Sequence, residues 1–319
     1  MMAAMGLAAE HFTEHRRTLF GIAYRMLGSA AEAEDVLQDA YLRAASAKEP
    51  PDAPGPWLAV IVTRLCLDVL RSARARREAY VGTWLPEPVL TAEVLDIDPA
   101  PSGLHAGSLH APSPPGARLD AAESVSMALL VLLETLSPLE RAALVLRDVF
   151  DWEFDAIATA LERSPATCRQ LVHRARQHLA ARQPRFRATE AEQQRLFHAF
   201  LQALAAGDAE ALAPLLAADV VAMSDGGGKA RAALRDITGR DRVSRFLAGT
   251  ARKGAAEGFA VTLASLNGGP AFLGHLGGQL VVALGFEVTP EGASLVWMMR
   301  NPDKLSRLHE RLAAAAASP

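Results

Sequence analysis

The chain has only two cysteines in 319 residues, Cys66 and Cys168, and neither has a neighbour at metal-ligand spacing. That excludes a disulfide framework and a zinc module, and it fits a reducing compartment. Cys168 falls on the apolar stripe of a helical pattern, which assigns it to packing rather than to oxidation sensing. No run approaches the ~20 apolar residues of a membrane span. The opening MMAAMGLAAEH lacks a basic, then apolar, export pattern, so a cytoplasmic protein with no membrane contact is expected. Aromatics are scarce, and the three tyrosines (Tyr24, Tyr41 and Tyr80) all precede residue 81. The C-terminal third is therefore expected to have no phenol for acid–base work. Neither charge sign dominates: the net charge is −3, with 20 basic and 23 acidic residues in 1–187 and 13 of each in 188–319. Net balance conceals clusters, so it excludes no partner. Half of the residues are hydrophobic and mean hydropathy is +0.10, which suits a globular chain of about two domains.

One local absence is informative. From Arg163 to Arg187 there are seven arginines and no acidic residue. This run belongs to the stretch Phe154 to Ala181, which reads as a short apolar helix, a break at Glu162–Ser164 and a longer helix. Ser164 can cap the second helix and Pro165 suits its first position. Cys168, Leu171, Val172, Ala175 and Leu179 form its buried stripe. Ser164, Thr167, Arg169, Gln170, His173 and Arg174 lie toward the other side. A helix, tight turn and second helix with a basic, amide-bearing face is how a helix-turn-helix meets the major groove. A helical hairpin with a solvated basic face would share the pattern.

Upstream, residues 10–80 read as three helices. Phe12, Leu19, Ile22, Ala23 and Met26 line the first, which breaks at Gly28-Ser29. In the next, Val36, Leu37, Ala40, Tyr41 and Ala44 point inward, while Asp35, Gln38 and Asp39 share an outer side. After a Pro-rich turn, the third buries Leu58, Val62, Leu65 and Val69. Arg64, Arg71 and Arg74 lie opposite, and Arg76 and Arg77 extend the charge. Trp57 opens this helix as a core anchor or a stacking platform. Residues 81–120 are a Pro/Gly/Ser-rich linker interrupted by the patch Trp84-Leu85-Pro86-Glu87-Pro88. Residues 121–185 form a second helical domain ending in the helix-turn-helix.

The order of an acidic DVLQD helix, a W-L-x-x-I helix running into arginines, a linker and a helix-turn-helix resembles the extracytoplasmic-function sigma factors. The resemblance covers roughly residues 10–181. It implies core RNA polymerase and promoter DNA as partners. Asp35, Gln38 and Asp39 would dock to polymerase. Trp57, Arg64, Arg71, Arg74, Arg76 and Arg77 would engage the melted −10 strand. Ser164, Thr167, Arg169, Gln170, His173 and Arg174 would read the −35 duplex.

Residues 190–315 read as a separate α+β domain, with helices followed by an antiparallel meander. Helices are expected at 191–206, 209–217 and 239–249, and strands at 220–223, 259–266, 271–276, 279–288 and 294–300. This part is similar to SnoaL-like members of the NTF2-like superfamily, whose relatives often enclose a small molecule, so an unidentified small ligand remains a candidate partner. Asp225-Gly226-Gly227-Gly228-Lys229 and Asn301-Pro302-Asp303-Lys304, with the Trp84-Leu85-Pro86 patch, resemble the sigma-factor subgroup carrying a fused SnoaL-like extension. The glycine run lacks P-loop spacing and reads as a turn allowing close backbone approach. The linker patch is expected to dock on these two segments, giving a regulatory interdomain contact.

The expected fold is thus multi-domain: two all-α sigma-type helical domains, the second with the helix-turn-helix, then an α+β NTF2-like cone. The expected function is promoter-directed transcription initiation with in-cis regulation, without catalytic residues, cofactor or metal. Two alternatives stand beside it: a helix-turn-helix regulator that does not enter polymerase, and a SnoaL-like enzyme with a DNA-binding module.

Overall fold

The break at Gly28-Ser29 is where the first two helices separate. Gly28 adopts a positive φ of 66°, which suits a residue without a side chain, and the Ser29 hydroxyl accepts from the Glu32 amide to start the next helix. The computed structural model describes residues 2–47, 53–95, 123–180 and 190–317, and within these not the side chains of 2–10, 73–78, 95, 123, 190–192 and 316–317. Most of the expected 81–120 linker lies outside the described residues. The chain forms two units: one of residues 1–78, 92–125 and 129–182, the other of 79–91, 126–128 and 183–319.

The first unit is helical. Its elements are α1 (Met2–Leu27), α2 (Ala30–Ala45), α3 (Pro54–Glu78), the short α4 (Thr91–Leu95), α5 (Met127–Leu133), α6 (Pro138–Leu144), α7 (Phe154–Leu161) and α8 (Pro165–Ala180). Leu19, Ile22, Ala23 and Met26 of α1 meet Val36, Leu37 and Ala40 of α2 and Leu58, Val62 and Leu65 of α3, all buried. Ser137 and Glu140 close a capping box at the start of α6. A single π turn, Val145–Val149, follows α6, and Phe150 and Trp152 fill the core beside it.

Two arginines are buried inside this unit. Arg25 donates to Ser124 Oγ at 2.8 and 3.1 Å and to the carbonyls of Gly21 and Val94. Arg141 donates to Met26 O at 2.8 Å and to Glu134 at 2.7 Å. Burial lowers the pKa of each guanidinium to about 10, so both remain charged at neutral pH. They tie the end of α1 to the chain around Val94 and Ser124, and to α6.

The second unit contains α9 (Glu190–Ala206), α10 (Ala209–Leu212), β1 (Leu216–Asp225), β2 (Ile237–Thr238), α11 (Arg240–Ala256), β3 (Ala260–Leu266), β4 (Gly269–Leu276), β5 (Gln279–Thr289), β6 (Gly292–Met299) and α12 (Pro302–Ala317). The sheet order is β2-β1-β6-β5-β4-β3. β1 and β6 run parallel and every other pairing is antiparallel. Gly285 lies under Trp297, where an added Cβ would meet the indole at 2.3 Å. Phe197 stacks on Phe272 at 4.7 Å and Phe200 meets Phe286 at 4.5 Å, so four rings fill the interior of the helix-and-sheet cone.

The helix expected over 209–217 stops early. Asp208 caps α10 as expected, but the chain passes through a 3₁₀ turn at Ala213–Leu215 containing Pro214, whose ring cannot extend the α-helical bonding. Leu216 then enters β1, a ten-residue strand where only 220–223 was expected. β2 and α12 were not expected. β2 has two residues, and α12 begins on the Asn301 cap, whose Oδ1 accepts from Asp303 N at 3.1 Å.

Candidate functional site

On α2 the side chains alternate by burial: Val36, Leu37 and Ala40 are inside, while Asp35, Gln38 and Asp39 are exposed on one strip. Leu42, 58% exposed, extends that strip by one turn. This is an acidic, accessible surface with an apolar end.

The basic helix α3 is less open than its composition suggests. Trp57 is half-buried, and Arg71 bonds Asp68 at 3.0 Å. Arg64 donates to Thr159 O at 2.9 Å and Ala160 O at 3.3 Å, and its guanidinium lies 3.3 Å from Glu162. It therefore satisfies the carbonyls left at the end of α7. The side chains of Arg74, Arg76 and Arg77 lie outside the described residues.

In the helix-turn-helix, Glu162 takes a left-handed conformation (φ 54°) and ends α7. Ser164 Oγ accepts from Thr167 N at 3.1 Å and lies 2.8 Å from Thr167 Oγ1, so these two hydroxyls are engaged in capping α8. Cys168, Val172, Ala175 and Leu179 are buried. Burial raises the Cys168 thiol pKa, against the lowering effect of Arg163 and Arg169, which disfavours the reactive thiolate. Arg169 lies over the Phe154 ring at 5.1 Å, a contact that orients its guanidinium. Gln170, His173 and Arg174 are exposed.

Arg176 lies farther along the same helix. Its position on α8 suggests a phosphate contact, but it makes two bonds to Asp148, at 2.6 and 3.0 Å. Asp148 is buried and comes from the π turn. Desolvation raises its pKa while Arg176 opposes the rise. Arg176 is thus occupied in holding the module together.

The third cluster lies within the second unit. Leu85, Pro86, Glu87, Pro88 and Val89 are buried there and Trp84 is half-buried. The carboxylate of Asp225, fully buried, accepts from four donors: Tyr80 Oη at 2.6 Å, Leu85 N at 3.0 Å, Gly227 N at 3.0 Å and Lys304 Nζ at 2.7 Å. Lys304 also donates to Leu85 O and sits 4.2 Å from the Trp84 ring centroid and 5.1 Å from that of Tyr80. Asn301 Nδ2 donates to Tyr80 Oη at 2.8 Å. Lys229 pairs with Asp303 at 2.6 Å, while Pro302 and Asp303 are exposed. The glycines permit the approach: an added Cβ would stand 2.2 Å from Ala230 O at Gly226, 2.3 Å from Asn301 Nδ2 at Gly227 and 3.3 Å from Val81 at Gly228. Farther along, Val89 exchanges bonds with Asn267 at 3.1 Å in both directions.

Tyr80 overturns one expectation. Although it follows the arginine helix in sequence, it belongs to the second unit and gives that unit a phenol bonded to a carboxylate. Sequence reasoning also missed Arg25, Arg141 and Asp148, whose partners are far away along the chain. No group of three or more His, Cys, Asp or Glu among the described residues could hold a metal. No described helix is long and apolar enough to cross a membrane.

Comparison with known proteins gives this geometry its context. The family model Sigma-70 region 2 matches residues 11–76, and Sigma-70, region 4 matches residues 126–179. The chain is 36% identical over 319 residues to the ECF RNA polymerase sigma factor SigJ of Mycobacterium tuberculosis, covering 96% of both chains. It is 34% identical to the probable ECF RNA polymerase sigma factor SigI of the same species, over 63% of this chain and 64% of that one. The crystal structure of M. tuberculosis SigJ superposes with a TM-score of 0.70 at 32% identity, covering 93% of this chain and 98% of that one. The chain belongs to the extracytoplasmic-function RNA polymerase sigma factors, with an α+β unit following the two sigma regions.

Proposed function

We propose that this sigma factor, acting in the cytoplasm, docks to core RNA polymerase through Asp35, Gln38 and Asp39. It holds the melted −10 strand with Trp57 and the arginines of α3, and reads the −35 duplex with Arg169, Gln170, His173 and Arg174. Exposure of the acidic strip on α2 and of the outer face of α8 supports these roles. Single-strand capture suits guanidinium and aromatic groups, and duplex readout suits amide and guanidinium groups at a helix face. Arg64 can serve the −10 strand only after leaving the α7 carbonyls, so α3 and α7 part when the promoter is bound.

The same reading makes the C-terminal domain a regulator in cis. The observation that carries it is the four-donor shell around Asp225, which fixes the linker segment 80–85 to the turn after β1 and to the start of α12. Docking shortens the free tether between the two DNA-reading modules, and tethering keeps the docking partners at effectively millimolar concentration. The domain regulates without catalysis: the Asp225 carboxylate is already saturated by protein donors, and phenylalanine rings fill the cone. Run-off transcription with core polymerase tests this reading. Disrupting the clamp by Trp84→Ala or Lys304→Met is expected to change output several-fold while leaving polymerase copurification intact. Asp35→Arg with Asp39→Arg is expected to abolish copurification. Equal output from parent and clamp variants would refute regulation by the linker contact.

A further inference from the structure

The second unit carries a local positive charge that the regulatory role does not use. Between Lys229 and Lys253 the chain has eight Lys and Arg residues against two Asp, in a protein whose net charge is −3. These residues occupy the loop after β1 and helix α11. Several are engaged within the domain. Lys229 pairs with Asp303, Arg245 with Asp241 and Lys253 with Glu257. Arg240 donates to Leu216 O and Arg252 to Gly207 O. Arg231, Arg235 and Arg242 are exposed, and among the described residues their guanidinium groups have no hydrogen-bond or ion-pair partner.

The loop that presents two of these arginines is well tied. Ala233 N donates to Ser224 Oγ at 2.7 Å, and Thr83 Oγ1 to Asp236 Oδ1 at 2.8 Å. Arg300 donates to Arg231 O at 3.0 Å and adds its own charge beside the loop. No carboxylate among the described residues pairs with Arg231, Arg235 or Arg242 to offset their charge. A polyanion would, and the natural one for a sigma factor is DNA. Phosphate contacts by arginine contribute affinity without sequence preference and release counterions.

We infer that this basic edge of the C-terminal domain is a phosphate-binding surface for duplex DNA, separate from the −10 and −35 readout. The domain then contributes to promoter affinity directly, beyond its proposed action through the linker.

The test uses the full-length protein with two fluorescein-labelled 40-base-pair duplexes, one with and one without a −35 element, and measures affinity by anisotropy from 50 to 200 mM KCl. The variant is R231Q/R235Q/R242Q, which removes charge at three exposed sites; an unchanged melting temperature checks its fold. Losing three phosphate contacts should lower the magnitude of the slope of log K against log[salt] by about 2.7 on both duplexes. The parent should therefore lose about 40-fold more affinity than the variant across that range. The clamp variant Trp84→Ala should keep the parental slope, which separates this surface from linker regulation. An unchanged slope in the triple variant would overturn the inference. So would a loss confined to the −35 duplex. Loss of core polymerase binding with unchanged DNA affinity would also overturn it, pointing instead to an acidic protein partner.

Discussion

Asp225 and Lys304 form an ion pair whose carboxylate is fully buried and whose ammonium is nearly so. Removing one member of such a pair leaves the other charged and desolvated. Asp225→Asn is therefore expected to destabilise the second unit by roughly 3–5 kcal/mol, read by urea unfolding. Tyr80→Phe should cost about 1 kcal/mol, because it removes hydrogen bonds but no charge. The phenol also gives a pH signature. Burial, and then the Asp225 carboxylate, push the Tyr80 pKa up, so the folded state keeps the proton longer than the unfolded state. Its contribution is complete below the ordinary tyrosine value of about 10 and is lost as pH rises from there. Tyr80→Phe should flatten the alkaline fall in stability; an equally steep fall in both proteins would show that Tyr80 contributes nothing to it. These partners were only partly legible in the sequence. Trp84, Leu85 and the two distant motifs stand out by composition. Tyr80 does not, because it follows the basic helix without a break and its partner lies 145 positions away.

Helix α8 divides its arginines by what lies beneath them. Arg169→Ala is expected to cost on the order of 1–3 kcal/mol at one −35 position and to relax preference there, measured against a set of single-base variants. Arg174→Ala should weaken all sequences alike and lower the salt slope by about 0.9. Arg176→Ala should act on stability instead, destabilising the module by roughly 2–3 kcal/mol. It strands Asp148, though the arginine itself is half exposed and partly screened. On α3, Arg64→Ala should spare −35 duplex binding and reduce permanganate reactivity of the −10 thymines; unchanged reactivity would remove Arg64 from strand capture. The recognition helix could be read locally, since its stripe and its Ser164-Pro165 start follow from spacing and capping chemistry. Arg176 could not, because helical periodicity shows which way a side chain leaves α8 but not that a π turn brings a carboxylate to meet it. β1 was similarly obscure: LAADVVAMSD lacks alternation, and its strand state is imposed by parallel pairing with β6, some 75 residues later.

Across the whole molecule, the segment 79–91 belongs to the unit completed by the C-terminus, not to the helices it directly follows. This has a consequence for synthesis. Chains grow from the N-terminus at about 5–20 residues per second. All the sigma helices, α8 included, emerge before Lys304, the residue that closes the clamp on Leu85 and Trp84. The interval between Ala180, the end of α8, and Lys304 is roughly 6–25 seconds of translation. Throughout that time the nascent protein has its promoter-reading parts but not its restraint. A message cut short anywhere between the end of α8 and Asn301 would yield a sigma factor permanently in that state. On the proposed regulatory reading, the reading frame places the brake last, and the ribosome must finish the protein before the protein can be held in check.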